Sequence, residues 1–285
     1  MTRVLVAGAT GYLGSHLCRE LKKQHYFIRA LARNTKKLQQ LHIPADEVFK
    51  GEATGPATLS GCCAGIDVVI STLGITRQKD GLTYMDVDYQ ANMNLLREAQ
   101  QGGVKKFVFI FIANAERLQH LKMIRAKQKF ATALKSSGLD YCIIQPNGFF
   151  ADMREFLTMA EKGRIYLFGK GNFRINPIHG ADLAEACISA LEKNEKEIAI
   201  GGPQILTHRE IAEMAFAALN KKAAITCIPV WVKTIALGLL HTFTSVKIYG
   251  PVEFLLTVLT MDMLAPPYGS RTLDEFFREA AAGDA

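Results

Sequence analysis

Val4-Leu5-Val6-Ala7-Gly8-Ala9-Thr10-Gly11-Tyr12-Leu13-Gly14 is the stretch from which the fold is read. Its apolar, β-branched start reads as a buried parallel strand. The run stops at Gly8. From Tyr12 a helical pattern begins, with Leu13, Leu17 and Leu21 on one face and Arg19, Glu20, Lys22 and Lys23 on the other. Three glycines spaced G-x-x-G-x-x-G therefore stand where a strand hands over to a helix. They suit a tight turn, bare backbone for a pyrophosphate and close helix–strand packing. The helix N-terminus adds N–H groups and a partial positive charge. A second strand arrives on schedule at 26–31. Gly8, Thr10, Gly11, Tyr12, Leu13 and Gly14 are thus the expected contacts of a bound dinucleotide.

Beyond that second strand, an NAD site usually places an acid that holds the ribose hydroxyls. This chain has Arg33, followed by Lys36 and Lys37, and no carboxylate between Glu20 and Asp46. A guanidinium forks onto a 2′-phosphate and stacks on adenine, and Lys36 adds charge. The expectation is NADPH in preference to NADH.

Further strands are read at 48–52, 66–74, 105–112 and 139–150, the 105–112 run apolar enough to be covered on both faces. A short helix is read at 58–64, a polar loop at 78–82 and a long helix at 84–101, ended by Gly102-Gly103. Ligands of open α/β sheets lie beyond the strands' C-terminal ends, so Thr72, Leu73 and Gly74 border the cofactor, as do Pro146 and Asn147. A helix at 116–137 carries Lys127. At about 100° per residue, Met123, Ile124, Phe130, Ala131 and Leu134 share its face, whereas Arg125, Lys129, Thr132, Lys135 and Ser136 lie opposite. An ammonium near the centre of a buried stripe is costly unless paired, which marks Lys127 as functional.

The second half alternates less regularly, with helices at 151–162 and 182–192 and short strands at 165–168 and 174–178. Thr207 with Glu210, and Thr272 with Glu275, form capping boxes. The fold class is α/β, a Rossmann-type doubly wound parallel sheet with a smaller, mixed C-terminal substrate lobe. Residues 1–148 form the dinucleotide-binding domain, to which 179–200 return, and 149–178 with 201–285 form the lobe.

At 285 residues the chain supports one large core or a core with an appended lobe. The net charge of +7 comes from scattered basic pairs, a solvated pattern that does not point to nucleic acid. Six cysteines without C-x-x-C or ligand spacing read as buried thiols of a reducing compartment, and no metal site is expected. The first strand leaves no room for a signal peptide, so the expected location is cytoplasmic. The apolar 228–260 region is broken by Lys233, His241, Lys247 and Glu253, too often for a membrane span. Packing on the first domain and peripheral contact with a membrane surface are both open to it.

With the glycine triplet, Arg33, Lys127 and the Pro146-Asn147-Gly148 loop placed, the chain resembles an atypical short-chain dehydrogenase/reductase. More narrowly it is similar to the NmrA-like and isoflavone-reductase-like branch. Supporting stretches are Gly103-Val104-Lys105-Lys106-Phe107-Val108, Ala126-Lys127 and His179-Gly180-Ala181-Asp182-Leu183-Ala184. The resemblance implies that a lysine at Lys127 contacts the nicotinamide ribose and supports proton transfer. Relatives with dehydrogenase or epimerase chemistry carry Tyr-x-x-x-Lys, where this chain has Met123. Many also carry Ser or Thr where it has Phe111. The expected activity is NADPH-dependent reduction of a small, fairly apolar substrate, assisted by Lys127. The alternative is a non-catalytic NADP(H)-binding regulator or assembly protein. His179 reads as a loop-fixing residue or a proton donor, Asp182 as a helix cap, Gln145 as a possible ligand contact, and Tyr84 and Tyr89 as packing residues or substitute hydroxyls.

Overall fold

Strand β1 (Arg3–Ala7) is buried from Val4 onward, and the helix that covers it, α1 (Tyr12–Lys23), turns Leu13, Leu17 and Leu21 inward. The computed structural model describes residues 1–75, 81–193 and 195–283. The chain continues through β2 (Phe27–Ala32), α2 (Thr35–Gln40), β3 (Glu47–Lys50) and β4 (Val68–Ser71). Next come α3 (Asn92–Gln101), β5 (Lys106–Ile110), α4 (Lys122–Lys135) and β6 (Asp140–Pro146). The second half begins with α5 (Phe150–Glu161), β7 (Ile165–Phe168), β8 (Arg174–Ile175), α6 (Gly180–Glu192) and β9 (Glu197–Ile200). It closes with β10 (Leu206–Thr207), α7 (His208–Ala218), β11 (Ile225–Ile228), α8 (Trp231–Phe243), α9 (Val246–Val258) and α10 (Leu273–Ala282).

Seven strands form one parallel sheet in the order β3-β2-β1-β4-β5-β6-β9. This is the Rossmann arrangement, and its strand order reverses between β1 and β4, where a crevice opens beyond the strand ends. All of β5 is buried, as a strand covered on both faces must be. Two cations inside the sheet donate to backbone carbonyls. Arg29 donates to Cys62 O and Ala64 O at 2.8 and 2.9 Å and pairs with Glu47. Lys106 donates to Ala190 O and Lys193 O, neutralising the carbonyl end of α6.

The chain divides into two compact units, Met1–Gln145 with Leu183–Ile198, and Pro146–Asp182 with Ala199–Ala285. In the second unit α5, α7 and α10 pack together beside two small sheets, β8 with β10 antiparallel and β7 with β11 parallel. Both capping boxes form: Thr207 Oγ1 accepts from Glu210 N, and Thr272 Oγ1 from Glu275 N. Among the described residues no helix is long and apolar enough to cross a membrane.

Several elements differ from their sequence reading. The helix expected at 58–64 is a 3₁₀ turn, Pro56–Leu59, with proline in its first turn. The long helix at 84–101 starts with a π-helical stretch, Met85–Ala91, before α3. The helix expected at 116–137 is a 3₁₀ turn, Ala115–Leu118, then a break, with α4 starting only at Lys122. The strand read at 174–178 pairs over two residues. Of the polar loop at 78–82, residues 78–80 lie outside the described residues.

Candidate functional site

At the first crossover Gly8 adopts φ +84°, and Gly11 N–H donates to Gly8 O at 2.9 Å. A Cβ on Gly8 would stand 2.4 Å from Thr72 Oγ1, and one on Gly14 would stand 2.1 Å from Gly8 O. The turn therefore fits only glycine at its ends. Gly11 is the exposed N-cap of α1. No side chain caps this helix and its first turn holds no acid. The N–H groups and partial positive charge of a helix N-terminus are the donor set a diphosphate needs. Thr10 and Tyr12 are half-buried beside it, and Leu13 anchors the helix in the core.

Thr72 ties the ends of β1 and β4 together, its N–H and Oγ1 both donating to Ala7 O at 3.0 and 2.9 Å. Leu73 and Gly74 continue along the crevice. Gly74 lies against the functional side chains: a Cβ there would meet Lys127 Nζ at 2.7 Å and Asp88 Oδ1 at 2.8 Å. Lys127 Nζ stands 2.9 Å from Asp88 Oδ1, with the Asp88 side chain fully buried. The contact is one of charge. Oδ1 has no aligned hydrogen-bond donor among the described residues, and Oδ2 accepts from Ile75 N at 3.4 Å. Burial pushes the Asp88 carboxyl above the usual carboxylate range, and the Lys127 ammonium pulls it back. Phe109, whose ring centre is 5.5 Å from Nζ, helps keep water from the pair.

The π-helical register shapes this wall. Asn92 Nδ2 donates to Val87 O and Asp88 O at 3.3 and 3.1 Å, serving carbonyls in the widened stretch. Its Oδ1 accepts from Ser71 Oγ at 2.5 Å, locking the stretch to β4. π-helical turns inside helices concentrate at functional sites.

Structure brings Gly8, Thr10, Gly11, Tyr12, Leu13, Gly14, Thr72, Leu73, Gly74 and Lys127 into one unit, at the C-terminal ends of the strands. Arg33 and Lys36 are in the same unit, exposed, just past β2. Glu52, after β3, comes within 3.7 Å of Arg33, so a carboxylate does approach this corner from another strand. Pro146 and Asn147 belong to the second unit, where Asn147 Nδ2 donates to Asn176 Oδ1 at 2.8 Å and to Met263 O. Gln145 donates to Glu197 at 3.1 Å. Tyr84 is buried and the Tyr89 ring lies 4.4 Å under the Lys129 ammonium.

His179 Nδ1 accepts from Ala181 N at 3.1 Å, with its ring edge-on to Phe150 and Phe276, a loop-fixing arrangement. Asp182 is not the cap of α6 as its position suggested. It lies in the first turn and accepts from Ser270 N, Arg271 N and the Arg271 guanidinium. Met123 and Phe111 are both buried and bring no hydroxyl. Asp88 and Asn92 are the residues sequence reading missed. They sit four apart on the apolar stripe of their helix with Val87, Ala91 and Leu95, the anomaly that singled out Lys127.

A doubly wound sheet with an uncapped, glycine-lined crossover defines a nicotinamide-dinucleotide-binding Rossmann protein with an atypical short-chain dehydrogenase/reductase fold. A family model described as NAD(P)H-binding matches residues 8–194, and the chain belongs to that family. It is 29% identical over 231 residues to the photosystem II assembly factor Ycf39 of Guillardia theta, covering 79% of this chain and 73% of that protein. It is 28% identical over 325 aligned residues to the chloroplastic divinyl chlorophyllide a 8-vinyl-reductase of Zea mays, covering 99% and 81%. In fold it is similar to the Escherichia coli NADPH-dependent quinone oxidoreductase QOR2 complexed with NADPH. The TM-score is 0.71 at 17% identity, over 97% of this chain and 99% of that one.

Proposed function

We propose that this protein is an NADPH-dependent reductase of a small, fairly apolar molecule, with Lys127 holding the proton that completes the reduction. The observation that carries the reading is the Lys127–Asp88 pair, desolvated against Gly74 at the crevice edge. Bound NADPH supplies a hydride. Gly8, Gly11 and the first N–H groups of α1 hold its diphosphate, and Arg33 and Lys36 select the 2′-phosphate. Lys127 Nζ, 2.9 Å from the buried Asp88 side chain, is the group placed to pass a proton to the reduced substrate. The likeness to a vinyl-reductase over nearly the whole chain supports a conjugated alkene as the substrate class. Five of the six cysteines are buried free thiols, which suits a reducing compartment such as the cytoplasm.

The test is NADPH absorbance with a panel of conjugated alkenes, enones, quinones and aldehydes. Consumption that disappears in Lys127→Met supports the reading. Consumption that persists in the variant removes Lys127 from the chemistry. A second reading rests on Met123 and Phe111, which leave no hydroxyl at either carbonyl-polarising position, and on the likeness to an assembly factor. It takes the protein as a non-catalytic NADP(H)-binding regulator. Tight NADPH binding without consumption, together with a partner captured only when cofactor is present, favours it.

A further inference from the structure

Helix α8 buries none of its residues, although its sequence is apolar along its whole length. Trp231, Ile235, Leu239 and Phe243, four apart, are 63%, 55%, 55% and 78% exposed. Thr234, Gly238 and Thr242 share that face, which carries no charge. The lysine and the histidine of the helix are engaged elsewhere. Lys233 Nζ donates to Thr260 Oγ1 at 2.8 Å, and His241 Nε2 lies 3.2 Å from Glu253 on α9. The helix thus presents its largest apolar side chains outward, while Lys233 is held against the turn after α9. α9 adds exposed Ile248 and Leu255. Such an expanse marks a docking surface.

We infer that the α8 face lies in the plane of an anionic membrane surface, its apolar stripe among the acyl chains and Lys247, at the start of α9, at the headgroups. At thirteen residues α8 is about 20 Å long. That is too short to cross a hydrocarbon core of about 30 Å, yet long enough to lie along its boundary. Tryptophan at one end of the stripe suits the interface. Charge selects the occupant. The chain carries a net charge of +7, and Lys247, four residues past the end of α8, is exposed. A second copy docked two-fold on this face would bring two chains of charge +7 together, whereas anionic headgroups compensate that charge.

Trp231 is the only tryptophan and reports directly on the face. Full-length protein is mixed with phosphatidylcholine vesicles, with or without about one-third phosphatidylglycerol. The expected result is co-sedimentation with the anionic vesicles, a blue shift of Trp231 emission and quenching by brominated acyl chains. Ile235→Glu with Leu239→Glu is expected to lower the bound fraction at least tenfold while the circular-dichroism melt is unchanged, since both side chains are exposed. Lys247→Glu is expected to weaken the preference for anionic vesicles. Absence of vesicle binding overturns the proposal, as does binding that survives the stripe variant. A dimer that the stripe variant dissolves, in protein that ignores vesicles, also overturns it and assigns the face to a second copy.

Discussion

Lys127 and Asp88 meet at 2.9 Å from two different helical segments, with the carboxylate side chain wholly buried and Gly74 leaving only the room they need. Removing one partner of such a pair strands the other. Lys127→Met is therefore expected to cost about 3–5 kcal/mol of stability in urea unfolding. Asp88→Asn combined with Lys127→Met is expected to recover most of that loss without restoring turnover. A single variant as stable as the parent would show that the two groups are not coupled.

Gly14 abuts the turn so closely that any side chain must displace it. Gly14→Ala is expected to lose about 1–3 kcal/mol and to bind NADPH at least tenfold more weakly. Unchanged affinity in a destabilised variant would separate the turn's structural role from ligand binding.

Arg33 is exposed and its nearest carboxylate, on Glu52, is 3.7 Å away, a surface contact of small worth. The guanidinium is thus available to a phosphate. Arg33→Glu is expected to weaken NADPH about 10–100-fold, the value of one charge-assisted contact, with little effect on NADH. Equal weakening of both would remove the argument for phosphate selection.

The crossover and the sheet were legible because strand, turn and helix lie adjacent in the chain and each glycine has a local steric cause. Lys127 was legible as a charge on an apolar stripe. Its partner shows the same anomaly, Asp88 sharing a buried stripe with Val87, Ala91 and Leu95, but no local pattern tells which buried charge on one helix meets which on another. Asp182 shows the limit of capping rules: a turn 89 residues away in sequence supplies its donors, and no local pattern announces that. For the apolar 228–260 region the sequence left packing on the first domain and contact with a membrane surface both open, and the exposed stripe of α8 emerged from the structure.

His208 opens α7 among the rings of Phe156 and Phe173, and burial lowers its pKa from the ordinary 6.5 to about 4. The unfolded chain takes up a proton on this imidazole at a pH where the folded chain does not. Stability is therefore full above about pH 6.5 and lost as the pH falls toward 4, by about 3 kcal/mol if this group acts alone. Thermal melts across that window are expected to show the decline in the parent and a shallower one in His208→Gln. Identical slopes would assign the acid sensitivity to other groups.

Gly11 offers the most direct test of the claim that a dinucleotide diphosphate rests on the first crossover. Aspartate is a good N-cap, and Gly11 has an ordinary negative φ of −81°. A Cβ there would stand 3.2 Å from Gly8 O, so the turn must give by a few tenths of an ångström, and Gly11→Asp should stay folded while placing a carboxylate where the diphosphate binds. Calorimetric titration with NADPH is predicted to show one-site uptake by the parent and at least a tenfold loss in the variant. No uptake by the folded parent, or equal uptake by the two, would contradict the account.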